Sequence, residues 1–541
     1  MVKYMADFCK SLKINYSYIP GILISSVLCL IGLIIFTILY LNIQSINIYQ
    51  HIIANNHLQH IIIFSLQESI LSTIISVLPG IFIARSLFRC DIKVKNFFLY
   101  LISLILVLPV IVIIFGLFGV YGKFGYINNM LHWLGVKYSF NIYGYKGILL
   151  SHLFLNLPLA IVMCLQALEC ISNEQLRLAA HLGINKIYFF RFIEWPYLKR
   201  QVLSVSILIF IFCFTSFTVV LLLGGSPVFA TIEVAIYYAI HYNFNYSYAA
   251  WLSLIQIFFC LGFMFFNYIT DTIFHIGFTK KKTYDSTKIY IKNKKINLFI
   301  IILSGLFFIF PIISIVINGI NNHFLNAIQE PKLWESLYNS MIISIFSGLF
   351  SVFLSIMLLW SSRECYINNS KILYKLFEST GLLILIIPTI VISTSMFLLL
   401  HNKINDNHFY YFFIIIINVL TSMPYAIKIL KYPMYDISVR YNMLCSTLNI
   451  MGLNRFRIIE YKLLKYIIIK TFFLVCIISF GNFSSVSLLD NNIYTLPYYF
   501  YQQISSYKHY EAAVTALIML LLCCIIFISV EYFFLKKNDR N

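Results

Sequence analysis

Twelve apolar runs, each near the roughly 20 residues that cross a bilayer as a helix, divide this chain. They lie at about 20–41, 61–84, 97–120, 147–168, 201–224, 248–269, 297–319, 341–361, 378–400, 409–430, 466–489 and 512–535. A helix closes its backbone hydrogen bonds within itself, which a hydrocarbon environment requires of any spanning segment. Of the 541 residues 60% are hydrophobic and 11% charged, with a mean hydropathy of +0.86. No water-soluble domain of this length has such a composition. The expected fold is an all-α membrane protein of twelve transmembrane helices.

Charge orients it. With the N-terminus inside, thirty-three of the 39 Lys and Arg fall on the cytoplasmic side, so both termini are expected in the cytoplasm of an inner-membrane protein. This asymmetry accounts for most of the net charge of +19 and calls for anionic lipid, not nucleic acid, as partner. The first run is long for a signal-peptide core and no small-residue cleavage site follows it, so it reads as a retained helix. The twelve cysteines sit in predicted helices, the N-terminal tail or inner connections, where they read as small packing residues and not as a disulfide framework. No metal-ligand spacing appears. The nearest approach to one is His51, His57 and His60 in the first outer loop.

The second half repeats the first. At a shift of 266, Leu178–Lys199 lies over Leu444–Lys465 without a gap, and nine of 22 positions are identical, among them Ile193/Ile459 and Glu194/Glu460. The same shift places Asn156 over Ser422 and Pro158 over Pro424. A shift of 275 places Ser65, Ser69, Ser72 and Ser76 of the second helix over Ser340, Ser344, Ser347 and Ser351 of the eighth, one small-residue face that suits close helix packing. Six helices per repeat keep the interior loops on one side, so the repeats are parallel. The expected division is 1–57 for the tail, first helix and outer loop, 58–269 for a first permease domain and 270–296 for a basic linker. Then follow 297–335 for the seventh helix and outer loop, 336–535 for a second permease domain and 536–541 for a tail.

Between the fourth and fifth helices of each repeat lies a polar interruption. In the first it is LECISNEQLRLAAHLGINKIYFFRFIEWPYLKR, with Leu178, Ala179 and Ala180 as a small helical turn, Gly183 as a left-handed turn, then Ile193, Glu194 and Pro196. Pro196 is expected to open a new helix. These spacings resemble the coupling loop of ABC importer permeases, Glu-Ala-Ala, three residues, Gly, nine residues, Ile-x-Leu-Pro. Gly183, Ile193 and Pro196 match; Arg177, Leu178 and Trp195 depart. The second loop is more degenerate. It carries Leu444, Cys445, Asn449 opposite Gly183, Gly452, Ile459 and Glu460, with Lys462 opposite Pro196. Asparagine tolerates positive φ next best after glycine, so a turn at Asn449 survives.

Longer stretches, among them FSLQESILSTIISVLPGIFIARSLFR, GILLSHLFLNLPLA, FFRFIEWPYLKRQ and TLPYYFYQQISSY, resemble the permeases of bacterial thiamine ABC importers over nearly the whole chain. The resemblance implies a fused two-half permease that carries thiamine and its phosphates. It implies two partners, a homodimeric ABC ATPase and a periplasmic binding protein. The chain has no G-x-x-x-x-G-K-[ST] loop, so it is expected to be no enzyme and to hold no cofactor, with ATP and Mg on the ATPase subunit. A ferric-iron or other small-solute importer of the same architecture is the alternative cargo reading.

Within the spans, Glu68 beside Gln67 is the clearest path candidate, since a carboxyl at a helix centre costs about 2.5–3.5 kcal/mol to insert. Asn156, Ser422, Asn418 and Asn482 are further polar candidates, for which interhelical hydrogen bonding is the simpler role. Glu233, in an outer segment, is placed to meet the binding protein. An ion-coupled transporter would need several paired intramembrane carboxylates, and a membrane enzyme a clustered nucleophile or metal set; the sequence pattern offers neither.

Overall fold

The computed structural model describes residues 18–43, 56–136, 140–225, 228–269, 294–368, 370–383, 387–400, 407–448, 450, 452–489 and 493–538. Among them eleven helices are long and apolar enough to cross a membrane. The first six spans are Ile19–Ile43, Asn56–Phe88, a divided third, Tyr145–Glu169, a fifth ending at Phe214, and Tyr246–Ile269. The second six are Lys294–Gly319, Pro331–Ile367, a divided ninth, Asn407–Arg440, an eleventh ending at Phe480, and His509–Asn538.

Two spans are divided, and the ninth accounts for the difference from twelve, since Thr389–Leu400 is too short to count while the third still supplies Val110–Trp133. The third breaks between Ile92–Val107 and Val110–Tyr121, the ninth between Lys371–Leu383 and Thr389–Leu400. Each break ends at a proline, Pro109 or Pro388, whose carbonyl accepts the first bonds of the helix that follows. Proline has no N–H to continue the preceding helix and drives the residue before it out of the helical region. Leu108 accordingly sits at φ −66, ψ 141. Hydropathy is blind to this, because the residues on both sides remain apolar. The fifth and eleventh runs also end sooner than their hydropathy implies. Phe214 and Phe480 close them at matched positions, and short helices Phe217–Leu223 and Ser484–Ser487 follow.

The chain forms two compact units. One gathers residues 1–44, 335–495 and 525–541, the other 45–334 and 496–524. The first helix packs on both halves of the ninth, within the unit built from the second repeat. Its Gly21 N–H donates to Ser361 Oγ of the eighth helix at 2.8 Å, and Tyr18 Oη accepts from Asn368 Nδ2 at 2.8 Å. Conversely, the seventh helix packs on the second and on Val110–Tyr121, within the unit built from the first repeat. There Gly116 permits a close approach, since a Cβ added to it would lie 2.7 Å from the Pro311 carbonyl oxygen. Gly116→Val is therefore expected to destabilise the protein by about 1–3 kcal/mol, read as a lower unfolding midpoint in detergent; an unchanged midpoint would remove this contact from the account.

All eight stripe serines are buried. Most bond back to carbonyls of their own helix, as Ser69 Oγ does to Ser65 O at 2.6 Å and Ser76 Oγ to Ser72 O at 2.7 Å. That satisfies the hydroxyl without a neighbour and leaves a thin face for packing.

Candidate functional site

The first polar loop begins at Ser172, whose Oγ caps Asn173–His181 by accepting from Gln175 N at 3.3 Å. Leu176 and Ala179 turn inward; Arg177 and Leu178 are exposed, and Ala180 is half-buried. The helix stops at Gly183, with φ +59. Gly183 N donates to Ala180 O and Ile184 N reaches back to Ala179 O at 3.3 Å, the left-handed closure that glycine adopts without strain. Pro196 does not start a separate helix. Lys186–Phe189 runs through a π turn, Phe190–Glu194, straight into Trp195–Phe214, and Pro196 sits just after that π turn.

The second loop repeats this geometry. Asn442–Thr447 closes with Ile450 N donating to Cys445 O at 2.9 Å, one repeat on from Ile184 and Ala179. Cys445 is buried like Ala179, and Leu444 is exposed like Leu178. Asn449 lies outside the described residues; the glycine at positive φ is Gly452, also at +59. From there Gly452–Arg455, a π turn over Phe456–Glu460 and Tyr461–Phe480 follow in one run. The π turn thus recurs where Lys462 replaces Pro196, so proline does not cause it.

What both π turns accomplish is the burial of a carboxylate. The i to i+5 bonds, Trp195 N to Phe190 O and Tyr461 N to Phe456 O, insert an extra residue that rotates the next side chain inward. Glu194 and Glu460 are accordingly buried, while Ile193 and Ile459 are half-buried beside them. Glu194 Oε2 accepts from Arg85 Nε at 2.7 Å, and its Oε1 from Arg89 Nη2 at 2.6 Å, both at the end of the second helix. The Arg85 guanidinium also lies 4.2 Å from the Phe190 ring centroid. In the second repeat Glu460 pairs with Arg363, at the end of the eighth helix, and with Arg455 Nε at 3.1 Å. Arg455 further donates to Ser438 O at 2.8 Å and to Asn442 Oδ1 at 3.3 Å. Each loop is thus anchored by its own carboxylate to the second helix of its own repeat. The matched glutamates were legible in the sequence; their arginines do not align between repeats and were not.

Around these anchors the loops expose apolar side chains to an unusual degree, with Leu182 70% and Ile187 79% accessible in the first, Met443 83% and Leu448 61% in the second. Clustered exposed apolar groups on a polar loop suit contact with another protein or with a membrane surface.

Within the spans, Glu68 is wholly buried. It pairs inside the bundle and does not reach toward an interface: Oε1 accepts from Ser72 Oγ at 2.7 Å and lies 3.2 Å from His152 Nδ1 of the fourth helix. Gln67, named with it from the sequence, is exposed and belongs to the other face. Asn156 Nδ2 donates to Cys213 Sγ of the fifth helix at 3.2 Å. In the second repeat Asn418 Oδ1 accepts from Asn482 Nδ2 at 2.8 Å, a bond from the tenth helix to the break after the eleventh, and Ser422 Oγ bonds back to Asn418 O at 2.6 Å. Glu233 is buried and accepts from Gln256 Nε2 at 2.9 Å, so it does not face an outside partner as its loop position suggested. Of the three outer-loop histidines, His51 lies outside the described residues and His60 is exposed.

Residues 76–274 match the family described as binding-protein-dependent transport system inner membrane component. Over 491 residues, 91% of each chain, the protein is 38% identical to the thiamine transport system permease protein ThiP of Salmonella typhimurium, and equally so to that of Escherichia coli. It is 35% identical to that of Haemophilus influenzae over 466 residues, 85% of this chain and 86% of the relative. The chain belongs to the family of thiamine transport system permeases, multi-pass inner-membrane components of binding-protein-dependent transport systems.

Proposed function

We propose that this protein is the translocation subunit of an ATP-driven importer that carries thiamine, and its phosphates, across the inner membrane. The observation that carries the reading is the kinship with thiamine permeases over 91% of the chain. The two exposed apolar loops support it, since an ABC ATPase dimer offers two grooves and this chain offers two matching knobs. Both termini and both loops lie on the cytoplasmic side. A periplasmic binding protein delivers the cargo outside, and ATP with Mg is held by the homodimeric ATPase, because this chain lacks a phosphate-cradling loop. ATP-driven closure of the ATPase dimer draws the loops together. The Glu194 and Glu460 anchors pass that displacement to the second and eighth helices, and the bundle opens outward; hydrolysis resets it. The permease contributes differential contacts in two states and no bond chemistry.

The test is uptake of labelled thiamine by cells that lack their own importer and express this chain with its cognate binding protein, with and without the ATPase. ATPase-dependent uptake is expected. ATP hydrolysis stimulated by a binding protein loaded with another solute, without thiamine uptake, would overturn the cargo. Uptake that persists without the ATPase and collapses with an ionophore would overturn the class.

A further inference from the structure

Three side chains from three helices of one unit meet inside the bundle: Glu68 of the second, His152 of the fourth and Cys213 of the fifth. All are buried, and their ligand-type atoms lie within 4.8 Å of one another. The cluster is left chemically open. Glu68 Oε2 and both ring nitrogens of His152 have no hydrogen-bond partner, although each is shut off from solvent. Among the described residues, His152 is the only basic group within ion-pair distance of Glu68.

The other repeat supplies an internal comparison. At the shifts that align the repeats, Glu68, His152 and Cys213 correspond to Ile343, Asn418 and Ser479. These also lie together, lining a small cavity with Asn482. There the three corresponding positions leave no orphan: Asn418 Oδ1 accepts from Asn482, and Ser479 Oγ accepts from Ser347 Oγ at 2.5 Å, while Thr495 Oγ1 elsewhere in the lining has no partner. One place in the fold is therefore filled twice, once by neutral groups that close their own hydrogen bonds, once by a carboxylate, an imidazole and a thiol that do not.

We propose that Glu68, His152 and Cys213 bind a borderline divalent transition-metal ion, with Zn²⁺ the best match. Oxygen, nitrogen and sulfur together suit Zn²⁺ over the oxygen-seeking Mg²⁺ or Ca²⁺. Bond lengths of about 2.0–2.3 Å place tetrahedral ligand atoms roughly 3.4–3.7 Å apart. The cluster therefore closes on an ion by about 1 Å, within the reach of side-chain rotation. Charge favours it: the carboxylate and the thiolate together neutralise the dication, which removes the cost of an unpaired buried charge. The thiol proton leaves to solvent as the ion enters. Ser72, which donates to the carboxylate, orients the oxygen ligand, and Asn156, which donates to the sulfur, orients the thiolate. Water takes the fourth position, and the ion ties the second, fourth and fifth helices together.

The experiment uses the tag-free permease–ATPase complex in lipid nanodiscs, stripped with chelator and titrated with Co²⁺ as a spectroscopic stand-in for Zn²⁺. One Co²⁺ per chain is expected, with visible d–d bands of tetrahedral coordination and a near-ultraviolet thiolate-to-cobalt band, both displaced by Zn²⁺. Cys213→Ser removes the thiolate band, whereas Cys164→Ser, at another buried cysteine of the fourth helix, leaves it intact. Glu68→Gln and His152→Gln each weaken binding at least tenfold. Absence of saturable Co²⁺ or Zn²⁺ binding to the unsubstituted complex overturns the proposal whether or not the variants fold, as does a thiolate band that survives Cys213→Ser. Because the readout is metal binding, its failure leaves the thiamine reading untouched.

Discussion

Replacing Glu460 with alanine is expected to cost about 3–5 kcal/mol of stability, the loss seen when one member of a buried ion pair is removed and its partner is left charged. The side chain of Arg363 is 0% exposed, and once Glu460 is gone only Glu364 Oε1, 3.1 Å from its Nη2, remains as a counter-charge. Arg455, 7% exposed, keeps its bonds to Ser438 and Asn442 but loses its counter-charge. The check is the unfolding midpoint in detergent, together with the amount of folded protein in the membrane. Adding Arg363→Met to Glu460→Met should recover part of the loss and not all of it, because Arg455 is still left without its counter-charge. Glu194→Ala should cost less. Its arginines, Arg85 and Arg89, are 20% and 22% exposed and can turn toward solvent. Equal losses at Glu194 and Glu460 would show that burial of the arginines does not set the penalty.

Gly183→Val is expected to lower binding-protein-stimulated ATP hydrolysis by roughly tenfold, and by more than Asn449→Val does. Nothing lies within 4 Å of a Cβ built on Gly183, so no clash is involved; the cause is φ +59, where a β-branched residue is strained by about 1–2 kcal/mol or more. A shift of that size reaches roughly tenfold in the population of the docking conformation. Gly183→Asn, which tolerates the left-handed region, should retain most of the stimulation. Gly452, at the same φ with open space around it, should respond to valine as Gly183 does. Reconstituted complexes in which the loss at Asn449→Val equals or exceeds that at Gly183→Val would overturn this asymmetry.

Much of this architecture was written in the sequence because hydrocarbon imposes a length and a polarity on each span. The matched loops were legible for a different reason: Leu178–Lys199 and Leu444–Lys465 keep the same residues at the same spacing, down to the glutamates that the π turns bury. The breaks at Pro109 and Pro388 were not read, although the prolines stood in plain view, because an average over apolar residues does not register a missing N–H. The intramembrane cluster escaped notice for a third reason. His152 and Cys213 stand on separate helices with no motif between them, and an isolated cysteine in an apolar run reads as packing. Glu68 alone stood out, since a carboxylate there demands an explanation, but its company is set by tertiary structure. Gln67 shows the converse: adjacency in sequence placed it beside Glu68, and the turn of the helix sent it to the other face.

The exchange of first helices bears on the order in which the protein can be built. The ribosome releases Ile19–Ile43 long before its partners, Lys371–Leu383 and Thr389–Leu400, have been made. Until then this helix waits in lipid with Gly21 and Tyr18 unmatched. The first repeat likewise remains incomplete at its own end, because the seat beside Gly116 is filled only when Lys294–Gly319 enters the membrane. Neither repeat is a self-sufficient folding module, and fusing them in one chain guarantees that each borrowed helix finds its host at a stoichiometry of one to one.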